Sequence, residues 1–203
     1  SVGLVGSEMC IRDRCFDKII VSSDDQETID LVKSKEVEVP FIRPKELADD
    51  QAGTIAVVKH AIEWCLKHSY NLDSVCCLYA TAPFVQTEYL QKGLEILKKS
   101  YDSLVFAATD FSHPIQRSFK ILKDNKIEIF YDKYLGSRTQ DLEKTYHDAG
   151  QFYWANFKTW LNLKSIISYK SKALILDRSK VYDIDTIEDW NIAENIFKSI
   201  NEK

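Results

Sequence analysis

Short apolar runs alternate along this chain with longer stretches in which apolar residues recur every three or four positions. Residues 18–23 (KIIVSS) are apolar and β-branched, then polar, which predicts a buried strand ending at a loop. Residues 25–35 predict a helix, and 38–42 a short extended piece stopped by Arg43-Pro44. Over 54–68, Ile55, Val58, Ile62, Cys65 and Leu66 fall on one helical stripe. Residues 74–79 (SVCCLY) are continuously apolar, the pattern of a central parallel strand covered on both faces. A helix over 87–100 turns Leu90, Leu94 and Leu97 inward, and 103–109 (SLVFAAT) predict another buried strand.

The middle of the chain departs from this rhythm. Segments 119–122 and 126–131 flank Lys123-Asp124-Asn125 and predict a hairpin. Residues 150–156 predict an aromatic strand and 173–176 a short one. A last helix over 186–200 carries Ile187, Trp190, Ala193, Phe197 and Ile200 on one stripe, with Thr186 as N-cap and Asp189 three residues on. Repeats, low-complexity segments and linkers are absent. The alternation predicts one α/β domain, an open and mostly parallel sheet with helices on both faces. Ligands of such sheets bind at the carboxyl ends of the strands.

Composition narrows the class without naming it. With 203 residues, 45% hydrophobic and 29% charged, the chain suits one globular domain able to bury a core. A net charge of -4 argues against a nucleic-acid binder but allows an acidic small-molecule substrate held by local arginines. The five cysteines include no CxxC pair, and Cys76 and Cys77 lie in an apolar run, so reduced thiols and a cytoplasmic location are expected. No apolar run approaches the roughly 18 residues that span a bilayer, so no membrane partner is expected. The first residues, which include Glu8, Arg12, Asp13 and Arg14, lack the apolar core of a signal peptide.

The polar residues at expected strand ends carry the candidate chemistry. In extended backbone Asp183 and Asp185 face one side, where two carboxylates suit a hard cation such as Mg²⁺ beside phosphate oxygens. The simpler alternative is that Asp185 favours the following helix N-terminus and Asp183 is solvated. Ser22-Ser23-Asp24-Asp25 suits either a nucleotide contact or a helix cap. Arg43 before Pro44 suits a base or phosphate contact, or a surface turn. Arg138 can pair bidentately with a carboxylate, and Gln140 can fix hydroxyls. His147 suits a sugar contact, a base or a structural role. Phe152, Tyr153 and Trp154 read as core, with room for one to stack on a sugar.

Six ordered stretches carry a resemblance. VSSDD (21–25), RPKELADD (43–50), CCLYATAPF (76–84), RTQDL (138–142), YHDAGQFYW (146–154) and DIDTIEDW (183–190) resemble the acylneuraminate cytidylyltransferase family, in family order and over residues 15 to about 200. Within it, 147–150 and 78–83 resemble the pseudaminic acid branch more than the sialic acid branch. The resemblance implies a Rossmann-like three-layer α/β/α fold and a homodimer, with the β-rich middle segment reaching the partner. It implies transfer of CMP from CTP to a nonulosonic acid, pseudaminic acid by preference and sialic acid as the alternative. Asp183 and Asp185 would hold Mg²⁺ and be catalytic. Arg43, Ser23, Asp24 and Thr81 would hold the nucleotide, and Arg138, Gln140, His147 and Tyr153 the acidic sugar. A non-catalytic sugar- or nucleotide-binding domain of the same fold is the reading from another class.

Residues 1–14 (SVGLVGSEMCIRDR) depart from the family, which opens with a strand and a phosphate-cradling loop rich in Arg, Ser and Lys. The expectation is that 1–14 are a non-native segment in that place, and that 15–203 form the cytidylyltransferase domain. Low stability and little activity are expected of the chain as written.

Overall fold

A computed structural model describes residues 15–33, 37–49 and 51–201 of the chain, the side chains of 200 and 201 excepted. Residues 1–14, expected to be a non-native segment, lie outside this description. So do Ser34 and Lys35 of the first expected helix.

Four strands form the main sheet in the order β1 (Ser74–Leu78), β5 (Tyr146–Asn156), β2 (Val105–Asp110), β6 (Lys172–Ile175). β2 and β6 are parallel, whereas β5 is antiparallel to both of its neighbours, β1 and β2. Three strands therefore share a direction, as expected of a mostly parallel sheet, and one opposes them, which makes the sheet mixed. The expected central strand also moves. β1 is half-buried along its whole length, and among the described residues it ends the four-stranded ladder. The central strand is β5, buried from Ala149 to Asn156. It begins four residues before the expected start because its polar head, Tyr146 to Asp148, pairs across to Asp110, Thr109 and Ala108.

Helices cover both faces. On one, α3 (Thr87–Lys99) lays Leu90, Gly93 and Leu97 on Phe152 and Trp154. On the other, α2 (Thr54–Lys67) and α4 (Phe157–Asn162) pack Val58, Ile62 and Trp160 on Tyr153, Ala155 and Phe106. The Trp160 indole N–H donates to the Val75 carbonyl at 3.1 Å, so the buried ring has its polar atom satisfied. Leu66, placed on the inward stripe by its spacing, is exposed, and in α5 (Ile187–Asn201) so are Ile187 and Phe197. Among the described side chains of that last stripe, Ala193 is the buried one.

Segment 18–23 forms a narrow extended pair rather than a full strand. Ile20 bridges Glu38 in parallel, Val21 N–H donates to Glu38 O at 2.9 Å, and Arg43 N–H to Ser23 O at 2.9 Å. α1 (Gln26–Lys33) follows, capped by the Asp25 carboxylate, which accepts from Thr28 N–H at 2.7 Å. The expected hairpin is present as β3 (Phe119–Ile121) and β4 (Ile127–Ile129), turned by Asp124 and Asn125 at positive φ. No helix among the described residues is long and apolar enough to cross a membrane.

Candidate functional site

The carboxyl ends of β1, β2 and β6 and the head of β5 lie at one end of the sheet, and three loops meet there. The first leaves β1 through Tyr79, whose N–H donates to Gln151 O at 2.9 Å, and carries Thr81. The second is the head of β5 itself. The third leaves β6 and is stitched to the sheet by two buried polar side chains. Thr109 donates to Leu176 O at 3.0 Å, and Gln151 donates to Lys180 O at 2.8 Å. These anchors deliver Asp183 to the strand end.

Asp183 lies directly over Gly150. A Cβ added at Gly150 would stand 2.5 Å from Asp183 Oδ2 and 3.1 Å from its Cγ. The Thr81 hydroxyl donates to the Asp183 carboxylate, and Ile184 N–H donates to Asp183 Oδ1 at 3.1 Å. Solvent still reaches the residue, but partial burial of the carboxyl raises its pKa. The negative charges of Asp185 and Asp148 act in the same direction, while the bond from Thr81 and the Ile184 amide oppose them. Asp185 is exposed, and its N–H donates to Asp189 Oδ2 at 3.3 Å. The Asp189 carboxylate also accepts from Thr186 N–H at 2.8 Å, and Asp189 N–H returns a bond to Thr186 Oγ at 3.2 Å. The expected cap is thus a reciprocal box that also fixes the backbone of Asp185.

Behind Asp183 stands a second layer. Asp148 accepts from Gly150 N–H at 2.9 Å and from the Tyr153 hydroxyl at 3.1 Å. Tyr153 is buried and also hydrogen-bonded to Tyr79, and burial with the Asp148 charge keeps its phenol protonated. Tyr79 in turn bonds Thr54 at the start of α2.

The expected site residues divide between this cluster and other places. Asp183, Asp185, Thr81 and Tyr153 converge, and His147 sits on β5 one residue before Asp148, its ring against Phe111 and its Nδ1 2.8 Å from Asp148 O. Arg43 is half-buried, its Nε donating to Ser22 Oγ at 3.1 Å and its guanidinium to Ser22 O. Its charge reaches Cys77 of β1, whose thiol burial pushes up to about 12. Ser23 accepts from Asp25 N–H, the capping alternative, and Asp24 is exposed beside it. Arg138 and Gln140 do not join the cluster. Both are exposed, and the Arg138 fork is filled by Asp141 at 2.7 and 3.1 Å. Asp148, Gly150, Gln151 and Thr109 escape a reading by residue type alone. The Asp-x-Gly spacing of 148–150, an Asx-turn signature, was the available signal for the first two.

The carboxylates fit Mg²⁺, which takes one or two protein carboxylates and completes its shell with water and phosphate oxygens. Like charges crowd Asp183, and a hard cation relieves that repulsion. A three-ligand cage of His, Cys, Asp or Glu is absent among the described residues.

Comparison with known proteins identifies the family and the fold. A cytidylyltransferase family model matches residues 10–199. The pseudaminic acid cytidylyltransferase of Campylobacter jejuni serotype O:2 is 40% identical over 94% of this chain and 82% of its own. The N-acylneuraminate cytidylyltransferase of Escherichia coli O18:K1:H7 is 25% identical over 97% of this chain and 49% of its own. In fold, the chain is similar to CMP:2-keto-3-deoxy-manno-octonic acid synthetase solved with CTP, with a TM-score of 0.63, 9% identity, and coverage of 96% and 88%. It is also similar to 4-diphosphocytidyl-2C-methyl-D-erythritol synthase, with a TM-score of 0.60, 10% identity, and coverage of 97% and 88%. The chain belongs to the cytidylyltransferase family.

Proposed function

We propose that this chain transfers CMP from CTP to pseudaminic acid, releasing pyrophosphate. The observation that carries the reading is the meeting of Asp183, Asp185 and Thr81 at the strand ends of a cytidylyltransferase fold. The 40% identity with a pseudaminic acid cytidylyltransferase supports the choice of sugar. In the reaction the anomeric hydroxyl oxygen bonds to the α-phosphorus, the bond from that phosphorus to the pyrophosphate oxygen breaks, and the hydroxyl proton departs. The protein's work is positioning and charge neutralisation.

Asp183 and Asp185 would hold Mg²⁺. When bound, the ion supplies electrostatic stabilisation of the α-phosphate and the leaving pyrophosphate. Thr81 orients the Asp183 carboxylate toward the nucleotide side. Arg43, braced by Ser22 and next to Ser23 and Asp24, lies on the strand pair before β1 and would take the nucleotide. His147 at the head of β5 would take the sugar with Arg138 and Gln140, whose carboxylate partner would replace Asp141. Tyr153 would act on the sugar side through Asp148.

The reading extends to a homodimer in the cytoplasm. Hairpin β3–β4 exposes Phe119, Ile121 and Ile127 on one face, an apolar surface suited to a second copy. Pyrophosphate release from CTP and Mg²⁺ tests the function, with pseudaminic and sialic acids offered separately. It should be run on this chain and on a version carrying a family-type Arg/Ser/Lys-rich segment before residue 15. Turnover with pseudaminic acid that Asp183→Asn or Asp185→Asn abolishes is the expected result. A folded protein that binds CTP and turns over neither sugar would mean a binding domain.

A further inference from the structure

The head of β5 is irregular at the place where Asp183 rests. Phe106 pairs with Tyr153 and Ala108 with Asp148, so five steps along β5 answer two along β2. The surplus residues form a bulge around Gly150, which is buried and holds φ at +62°. Bulges re-aim side chains and gather beside active sites. This one is pinned from within. Asp148 accepts the Gly150 N–H, and the same carboxylate is held by the Tyr153 hydroxyl, itself buried and bonded to Tyr79.

The outward face of the bulge bears on function. A glycine is needed there for two separable reasons. Its positive φ disfavours most side chains, and its missing Cβ leaves the space that the Asp183 carboxylate fills. The atom in the way of a Cβ is the end of a side chain, so the group displaced would be the carboxylate, not the strand. The fold would tolerate that displacement. A metal or phosphate site aimed to within about 0.5 Å would not.

We propose that Gly150 is a positioning residue for Asp183, with Asp148 and Tyr153 as the brace that keeps its backbone turned. The inference rests on the reading of Asp183 as a Mg²⁺ ligand. It predicts that adding a methyl-sized group at residue 150 weakens metal binding while the protein stays folded.

The test uses the full 203-residue chain with Gly150→Ala, Gly150→Asn and Asp183→Asn. Asparagine accepts positive φ with little strain, so Gly150→Asn isolates the effect of the Cβ from that of the backbone. Free Mn²⁺ is measured by electron paramagnetic resonance in the presence of CTP, alongside thermal melting. The expected result is that both Gly150 variants bind Mn²⁺ about 10–100-fold more weakly than wild type, the cost typical of disturbing the support of a metal ligand. Gly150→Asn should do so with its melting midpoint nearly unchanged. Wild-type Mn²⁺ binding in both Gly150 variants, with binding lost in Asp183→Asn, overturns the inference and leaves the reading of Asp183 intact. Equal binding by wild type and Asp183→Asn removes that reading and the inference with it. Weak binding in the Gly150 variants only with a lowered melt in both makes Gly150 a folding residue and also overturns the inference.

Discussion

Asn156→Ala should be among the most damaging single substitutions outside the hydrophobic core. Asn156 ends β5, is 2% exposed, and uses both ends of its amide. Its Oδ1 accepts from Thr159 N–H at 2.7 Å and caps α4, while its Nδ2 donates to Tyr101 O at 2.5 Å. Losing the cap costs about 1 kcal/mol. Leaving the Tyr101 carbonyl without its partner adds about 1–2 kcal/mol, the low end of the usual range because Tyr101 is partly open to water. The sum, about 2–3 kcal/mol, is a large share of the roughly 5–15 kcal/mol that holds a domain together. With a urea slope of about 2–3 kcal/mol/M, the midpoint should fall by about 1 M. Asn156→Ser restores a short acceptor and should recover about 1 kcal/mol of the loss. Asn156→Asp keeps the cap but sets a carboxylate oxygen against the Tyr101 carbonyl, and should be no better than alanine. Urea titration followed by tryptophan fluorescence reads all three. A midpoint shift below about 0.3 M for the alanine variant, or wild-type stability for the aspartate variant, would refute the reasoning.

Three further outcomes follow from the geometry. Asp183 has a folded pKa above its ordinary 3.8, so the folded state holds this proton more tightly than the unfolded chain. Stability from this group is therefore present below about pH 3.8 and lost as pH rises through the raised value. Asp183→Asn should accordingly melt above wild type at pH 7, with the gap closing as the pH falls toward 3.8. A gap that stays constant across that window would refute the assignment. Gly93→Ala places a Cβ 2.9 Å from both Phe152 Cε2 and Trp154 Cδ1. The overpacking cost of about 1–3 kcal/mol should exceed the helix-propensity gain of about 1 kcal/mol, giving a net loss by urea titration. Ile121→Glu in the exposed hairpin should convert a dimer to a monomer in light scattering without lowering pyrophosphate release per folded site at saturating substrate. An unchanged mass would move the interface elsewhere.

The four longer helices were legible because each carries one strong period, and the strands at 74–78 and 105–110 because each is an apolar run, whereas the short α4 was not expected. Val58, Ile62 and Cys65 are buried on α2, and Leu90 and Leu97 on α3, where their spacing puts them. What the pattern missed is set by pairing across the chain. The polar head of β5 has no strand-like alternation and is extended because Asp110, Thr109 and Ala108 pair with it. The direction of β5 is likewise invisible to a periodicity that knows only buried and exposed. Segment 74–78 is apolar enough for a central strand, yet among the described residues it stands at the end of the ladder. At the candidate site, Asp183 and Asp185 stood out by their spacing, with helix capping and solvation as the simpler alternative, whereas Thr81 entered only through the family resemblance. Arg138 was picked for its fork, and the carboxylate that fills the fork lies three residues away in the same sequence. A local partner of that kind wins whenever no ligand competes, and residue type alone does not reveal it.

β5 has a consequence for how the protein breathes. One strand carries the bulge under Asp183 at its head, the ring-filled core at its middle and the α4 cap at its tail, with ladder partners on both sides. Opening β5 at Tyr153 and Trp154, which pair with both β1 and β2, therefore means releasing two ladders and both helical layers at once. The amides of Tyr153 and Trp154 should exchange with deuterium only at the rate of global unfolding, while those of β3 and β4 exchange through local opening. A site mounted on the last element to melt arrives pre-shaped, with little conformational entropy left to lose when its substrates bind.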